Sequence, residues 1–228
     1  NDNFVAASAN RIIELASPAI FDINGRKYSD KGLSPVLPPQ AGMIKLHSLD
    51  GLVLFHQTSN IENVQLIVES PTSVKLLGGI EEPWKLRTCY VSTECYPLEF
   101  LFGKFYPQEE FVIKLMTQFS AVGQREETLK LVGNVSLEHG TKLQDDGFTQ
   151  TVAVKKGARF ETENVLNPVL APLRTFVEID PPLSKFVLRH KEGAFALFDA
   201  EGEKWKHVTI ELIVMYLKGK MPELTVLY

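Results

Sequence analysis

Apolar residues recur along this chain at two periods, and the clearest helical run lies between Glu99 and Asn134. It opens with the aromatic-rich Glu99-Phe-Leu-Phe-Gly-Lys-Phe-Tyr106, after which Pro107 stands where a first helical position tolerates a missing N–H. Glu109 and Glu110 fall in the first turn, where the helix dipole favours negative charge. Phe111, Val112, Leu115, Met116 and Phe119 follow at the spacing of one buried stripe. Gly123 interrupts the pattern, and residues 124–132 resume it with acids first and Leu129 and Val132 on one side. Gly133-Asn134 suits a helix C-terminal cap. The pattern predicts a helix–turn–helix pair used as a packing unit.

The remaining pattern is mostly of period two. A short amphipathic helix is expected from Asn3 to Ala16, stopped by Ser17-Pro18, followed by a hairpin whose strands flank Asn24-Gly25, the dipeptide a type I′ turn prefers. Leu33 to Gln40 carries Pro35, Pro38 and Pro39 and reads as an extended crossing. Met43 to His47 can form a strand, with Ser48 capping a helix through Leu49, Leu52, Val53 and His56. Val64 to Glu69, Ser73 to Leu77 and Trp84 to Glu94 read as an antiparallel meander, with Gly78-Gly79 as its second turn.

Further hairpins are expected around Asp145-Asp146-Gly147 and around Lys191-Glu-Gly193. The segment from Asn164 to Pro182 is punctuated by Pro168, Pro172, Pro181 and Pro182, as an edge strand or a long ordered crossing is. Trp205 to Leu217 is helical, with apolar residues on more than one face, and Leu224 to Tyr228 can finish as a strand. Separate groups of helices and several hairpins predict one α+β domain over residues 1–228, mainly antiparallel, with a soft subdivision near 134.

Composition narrows the class. The 228 residues are 44% hydrophobic, enough for an ordinary core without disulfide staples, and no apolar run approaches the ~20 residues of a membrane span. The chain therefore reads as soluble and cytoplasmic, although a sequence opening on Asn1 leaves an upstream targeting segment open. A net charge of -4 disfavours broad phosphate-backbone binding. Cys89 and Cys95, if both lie on one strand, stand ~20 Å apart and read as free thiols.

The chemistry-bearing residues form no local motif. His47, His56, His139, His190 and His207 include no i, i+4 pair, so no metal site is expected, and no nucleophile elbow or phosphate loop is present. The adjacent acid pairs point in different directions along helix or strand. Arg87, Arg174 and Arg189 stand among apolar strand residues, where a guanidinium must find a carboxylate, an anion or water. One reading is an internal salt bridge or a solvent-facing alternation. The other is an anion or nucleotide pocket lined by Arg87 or Arg174, with Phe176 or Tyr90 stacking on a base.

The order of several segments carries a resemblance: Leu46-His-Ser-Leu49, Glu109-Glu-Phe-Val-Ile-Lys-Leu115, Pro172-Leu-Arg-Thr-Phe-Val-Glu178, and Phe186-Val-Leu-Arg-His190 followed by a Trp-led helix. In that order the chain resembles uncharacterised phage and prophage proteins and is similar to the YfdQ-like family. The resemblance implies phage origin and action inside the host cell, and it brings no catalytic residues with it. The expected function is non-catalytic binding of a host or phage protein, or of a small anionic ligand, by a homo-oligomer without cofactors. Two alternatives stand beside it: an enzyme assembled from scattered residues such as His139 or His190 with an acid, and an accessory factor for phage nucleic-acid metabolism.

Overall fold

The computed structural model describes residues 20–23, 25–29, 42–81, 85–135, 151–156, 159–164 and 167–228. The helix expected from Asn3 to Ala16, the crossing from Leu33 to Gln40, Trp84, His139 and the Asp145-Asp146-Gly147 turn lie outside the described residues.

The fold is α+β with mainly antiparallel sheets. Strands β1 (Ile20–Ile23) and β2 (Arg26–Ser29) pair antiparallel around Gly25, which takes φ +76. Next come β3 (Ile44–Leu46) and helix α1 (Leu49–Ser59), whose first turn is capped by Ser48 Oγ accepting from the Gly51 N–H at 3.1 Å. The meander then runs through β4 (Val64–Ser70), β5 (Ser73–Glu81) and β6 (Leu86–Glu94). Two more strands, β7 (Tyr106–Pro107) and β10 (Val169–Leu170), lie either side of the helix pair and a second hairpin in sequence. The pair is α2 (Gln108–Gln118) and α3 (Arg125–Asn134), and the hairpin is β8 (Thr151–Lys156) with β9 (Arg159–Asn164). The chain closes with β11 (Ser184–Lys191), β12 (Ala194–Asp199), α4 (Lys204–Lys220) and β13 (Thr225–Leu227).

Two larger sheets organise the molecule. The first has strand order β13-β4-β5-β6-β3, with parallel pairing only at its two edges, and the second has order β10-β11-β12-β7, all antiparallel. One face of the first sheet presents Val64, Leu66, Val68, Val74, Leu76 and Val91 to α1 and α4, which return Leu52, Val53, Ile213 and Leu217. The second core gathers Phe100, Tyr106, Phe111, Leu115, Phe119, Leu170, Phe186, Leu188, Phe195 and Leu197 between its sheet and the helix pair. Phe100 is its hub: its ring centroid lies 5.1 to 6.0 Å from those of Phe102, Tyr106, Phe111 and Phe119. Neither core is contiguous in sequence, and residue 134 falls within the second, between buried Val132 and Val135.

Several sequence expectations need correction. Met116 is 57% exposed, because five residues on from Phe111 is ~140° around a helix. In α3 the buried positions are Thr128, Leu131 and Val132, and Leu129 only flanks them. Gly78-Gly79 makes no turn: both lie inside β5, where the register with β6 shifts and a Cβ at Gly78 would meet the Tyr90 ring at 3.1 Å. Between the two helices, Gly123 takes φ +68 and approaches β10 so closely that a Cβ would stand 2.5 Å from the Val169 carbonyl oxygen.

Phe111→Ala and Phe119→Ala should each cost ~3–5 kcal/mol through the cavity left in the second core, while Met116→Ala should be nearly neutral. Thermal melts of the three variants decide this. Equal melting temperatures for all three would show that the aromatic hub does not hold the fold.

Candidate functional site: the seam between the two cores

The segment from 171 to 183 passes between the cores. Pro172, Pro181 and Pro182 keep it out of helix and central strand, so its backbone polar groups need partners elsewhere. Its first residues are tied to the end of α2, where the Leu173 N–H donates to the Gln118 carbonyl at 2.9 Å and Phe119 bridges to Pro172. Further on, Thr175 Oγ1 donates to the Pro71 carbonyl at 2.8 Å, and Glu178 Oε1 accepts from the Asp50 N–H at 3.0 Å at the start of α1. Leu170 and Ala171 are buried on the second core's side, whereas Phe176 and Ile179 belong to the first.

Arg174 stands at the crossing and is 7% exposed. Its Nη2 donates to Ser184 Oγ at 2.9 Å, its Nη1 lies 3.5 Å from Asp199 Oδ2, and its guanidinium carbon sits 3.7 Å from the Trp205 ring centroid. Phe102 and Phe186 lie beyond, at 5.5 and 5.9 Å. Burial pulls the guanidinium down to about 10, against the upward pull of Asp199, so the group stays charged at neutral pH. The Nε–H has no acceptor among the described residues and is closed off from solvent.

Among the described residues, three hollows adjoin this segment. The first, about 520 Å³, is lined by Tyr96, Leu173, Phe176, Val177 and Asp180 among others, with His47 and Cys95 on its far wall. The second, about 720 Å³, shares Asp180 and Pro181 with it and runs to Trp205 and Leu212. The third, about 560 Å³, joins Tyr96, Phe102, Arg174 and Trp205. Exposed apolar side chains cluster on the first: Val177 at 88%, Tyr96 at 72% and Leu173 at 47%.

Of the residues singled out from sequence, Arg174 and Phe176 lie two positions apart but serve opposite sides. Phe176 is 1% exposed and floors the first hollow, while Arg174 lines the third. Arg87 is exposed on β6 opposite Ile80, away from both, and Tyr90 covers Gly78 within the first sheet. Arg189 donates to the Leu188 carbonyl at 3.1 Å. The arginine and aromatic groups therefore do not converge on one base-stacking pocket. Tyr96, Val177, Asp180, Asp199 and Trp205 had no sequence signal as a group, because exposure of an apolar side chain is a tertiary property.

The reactive groups at the seam are quiet ones. The His47 Nδ1–H donates to the Glu94 carbonyl at 2.8 Å, and the ring stacks on Tyr96 at 4.5 Å. Burial pushes the Cys95 thiol up, away from the thiolate that nucleophilic chemistry needs. Cys89 and Cys95 are both free thiols. Among the described residues no cluster of three His, Cys, Asp or Glu could hold a metal, and no helix is long and apolar enough to cross a membrane.

Asp199→Asn leaves the buried guanidinium without its carboxylate and should cost roughly 2–4 kcal/mol in urea denaturation. Adding Arg174→Met should recover most of the loss, since no unpaired charge then remains buried. A double variant no more stable than Asp199→Asn alone would show that charge pairing is not what the seam depends on.

No protein-family model, curated protein or solved structure matches this chain.

Proposed function

We propose that this chain is a non-catalytic binding protein that takes a polypeptide partner at the seam, in the phage and host-cell setting that the family resemblance implies. The observation that carries the reading is the grouping of Val177, Tyr96 and Leu173, three exposed apolar side chains, around a hollow of about 520 Å³. A volume of this order lies within the ~300–1,000 Å³ of ligand sites. An exposed apolar grouping with a concave centre is what an interface anchor fills.

The two other recognition modes have less behind them. A small anionic ligand needs a guanidinium whose charge is free and reachable, and Arg174 is buried with its charge on Asp199, one donor on Ser184 and a face on Trp205, its Nε–H closed off from solvent. A nucleic acid needs a basic stripe, and the charge of the chain is -4. Self-association belongs to the proposal as well, supported by Met215, 69% exposed on α4. The aromatic run from Glu99 to Tyr106 supports it less, since Phe100 and Tyr106 are spent inside the second core.

Affinity capture from infected-cell lysate should retain a protein partner that Val177→Ser loses and Ile113→Ser, on an exposed position of α2, keeps. Equal retention by both variants counts against the seam. Nucleotide turnover by the purified protein that Arg174→Ala abolishes would put the enzyme reading in its place. Light scattering should give a mass above 25.6 kDa at micromolar concentration, and a stable monomer removes self-association.

A further inference from the structure

The same groove points to the chemistry of its partner, and this step rests on the binding reading above. We propose that the groove between Tyr96 and Val177 takes a polypeptide segment with one bulky apolar side chain flanked by Lys or Arg.

The apolar half of the argument is the wall and floor. Phe176 and Ile179 floor the groove as members of the first core, so the base on which an anchor would rest is already packed. Tyr96 forms one wall, and its ring is held by the His47 imidazole stacked against it at an interplanar angle of 22°, which is in turn held by the Glu94 carbonyl. Val177 forms the other wall, on backbone fixed by the Thr175 and Glu178 hydrogen bonds on either side. A wall that is set before binding spares the partner the cost of ordering it.

The charged half is the absence of cations from that lining. Among the described residues lining this groove there is no Lys and no Arg; the charged group is Asp180, which has no ion-pair partner among the described residues. The carboxylates of Glu178 and Asp50 lie outside this lining and are already committed. Glu178 sends Oε1 to the start of α1, where the helix dipole favours it, and Asp50 accepts from the Tyr216 hydroxyl. His47, just past the end of β3, also lines the groove; Lys204 lines the second hollow together with Asp180 and Glu201, and Lys220 of α4 sits 5.5 Å from the Tyr216 ring centroid, outside both linings. A carboxylate without an ion-pair partner, beside an apolar floor and with no cation in the lining, attracts a basic flank and repels phosphate, anionic lipid and a second copy of a chain whose own charge is -4.

The test uses the full chain on two immobilised peptide arrays. In one, each peptide places a single Leu, Phe or Trp among Lys and Arg; in the other, the same anchors stand among Asp and Glu. The basic array should retain the chain, more weakly as salt rises, and Asp180→Lys should weaken that retention about tenfold, with Asp180→Asn in between. Tyr96→Ser and Val177→Ser should lose it while keeping the wild-type melting temperature. Preference for the acidic array, or none, overturns the assigned partner chemistry but leaves a binding groove. Retention on neither array, with Val177→Ser still losing the captured lysate partner, does the same. A dimer that Val177→Ser dissociates would make a second copy the occupant and overturn the proposal. If Val177→Ser changes nothing in arrays, capture or dimer, both the partner class and the binding reading fall.

Discussion

The burial of Arg174 is the constraint on which the rest of this structure turns. A guanidinium taken out of water costs several kcal/mol unless its charge and donors are met, and here the compensation comes from three places in the chain. Ser184 begins β11, Asp199 ends β12, and Trp205 lies in the first turn of α4. Each partner is useful only if the 171–183 segment, the second sheet and α4 hold one relative arrangement. The residue therefore ties elements of both cores: α4 packs against the first sheet, while β11 and β12 build the second.

Such a pair is weak evidence for net stability, because Asp199 is a quarter exposed on its side chain and the Nε–H stays unmatched among the described residues. Its physical value lies in orientation. Apolar contacts alone permit many near-equivalent slides of one packed face over another, whereas a guanidinium with an aromatic face, a hydroxyl and a carboxylate fixed around it permits one. The T-shaped and stacked rings around Phe100 and Phe102 supply bulk cohesion on the second core's side, and Arg174 reaches the edge of that cluster through Phe102 and Phe186.

What the sequence makes legible follows from how local each signal is. The Phe111, Leu115 and Phe119 stripe, the Ser48 cap, and the Gly25 and Gly193 hairpins depend on neighbours within a few residues and appear as expected, with Met116 the one stripe position that turns outward. The α+β class with antiparallel pairing follows from the same signals. Gly78-Gly79 misleads because a glycine pair serves a bulge under Tyr90 as well as a turn, and only the cross-strand partner tells which. The parallel edge pairing of β3 and β13 joins residues far apart in sequence and leaves no periodic trace. At the seam, Arg174 is visible because a cation among apolar residues demands a partner, but its partners lie 10, 25 and 31 positions away and carry no mark of the pairing. Val177 stands in the mixed run Leu173-Arg-Thr-Phe-Val-Glu-Ile179, in which nothing local says that it faces out and Phe176 faces in.

Proline explains how that run can be irregular, ordered and exposed at once. Pro172, Pro181 and Pro182 fix φ and narrow the unfolded chain's choices, so ordering the segment costs less than its length implies. The backbone bonds lost by refusing helix and strand are replaced one at a time, by the Gln118 and Ala171 carbonyls toward the second core and by side chains reaching Pro71 and Asp50 toward the first. With both ends held, Val177 is kept in water by its neighbours' commitments, since Phe176 and Ile179 on either side are buried and a reach of one residue cannot turn all three inward. The exposed valine is thus a consequence of how the two cores are joined, and a fixed apolar wall beside Asp180 comes with the joint at no separate ordering cost.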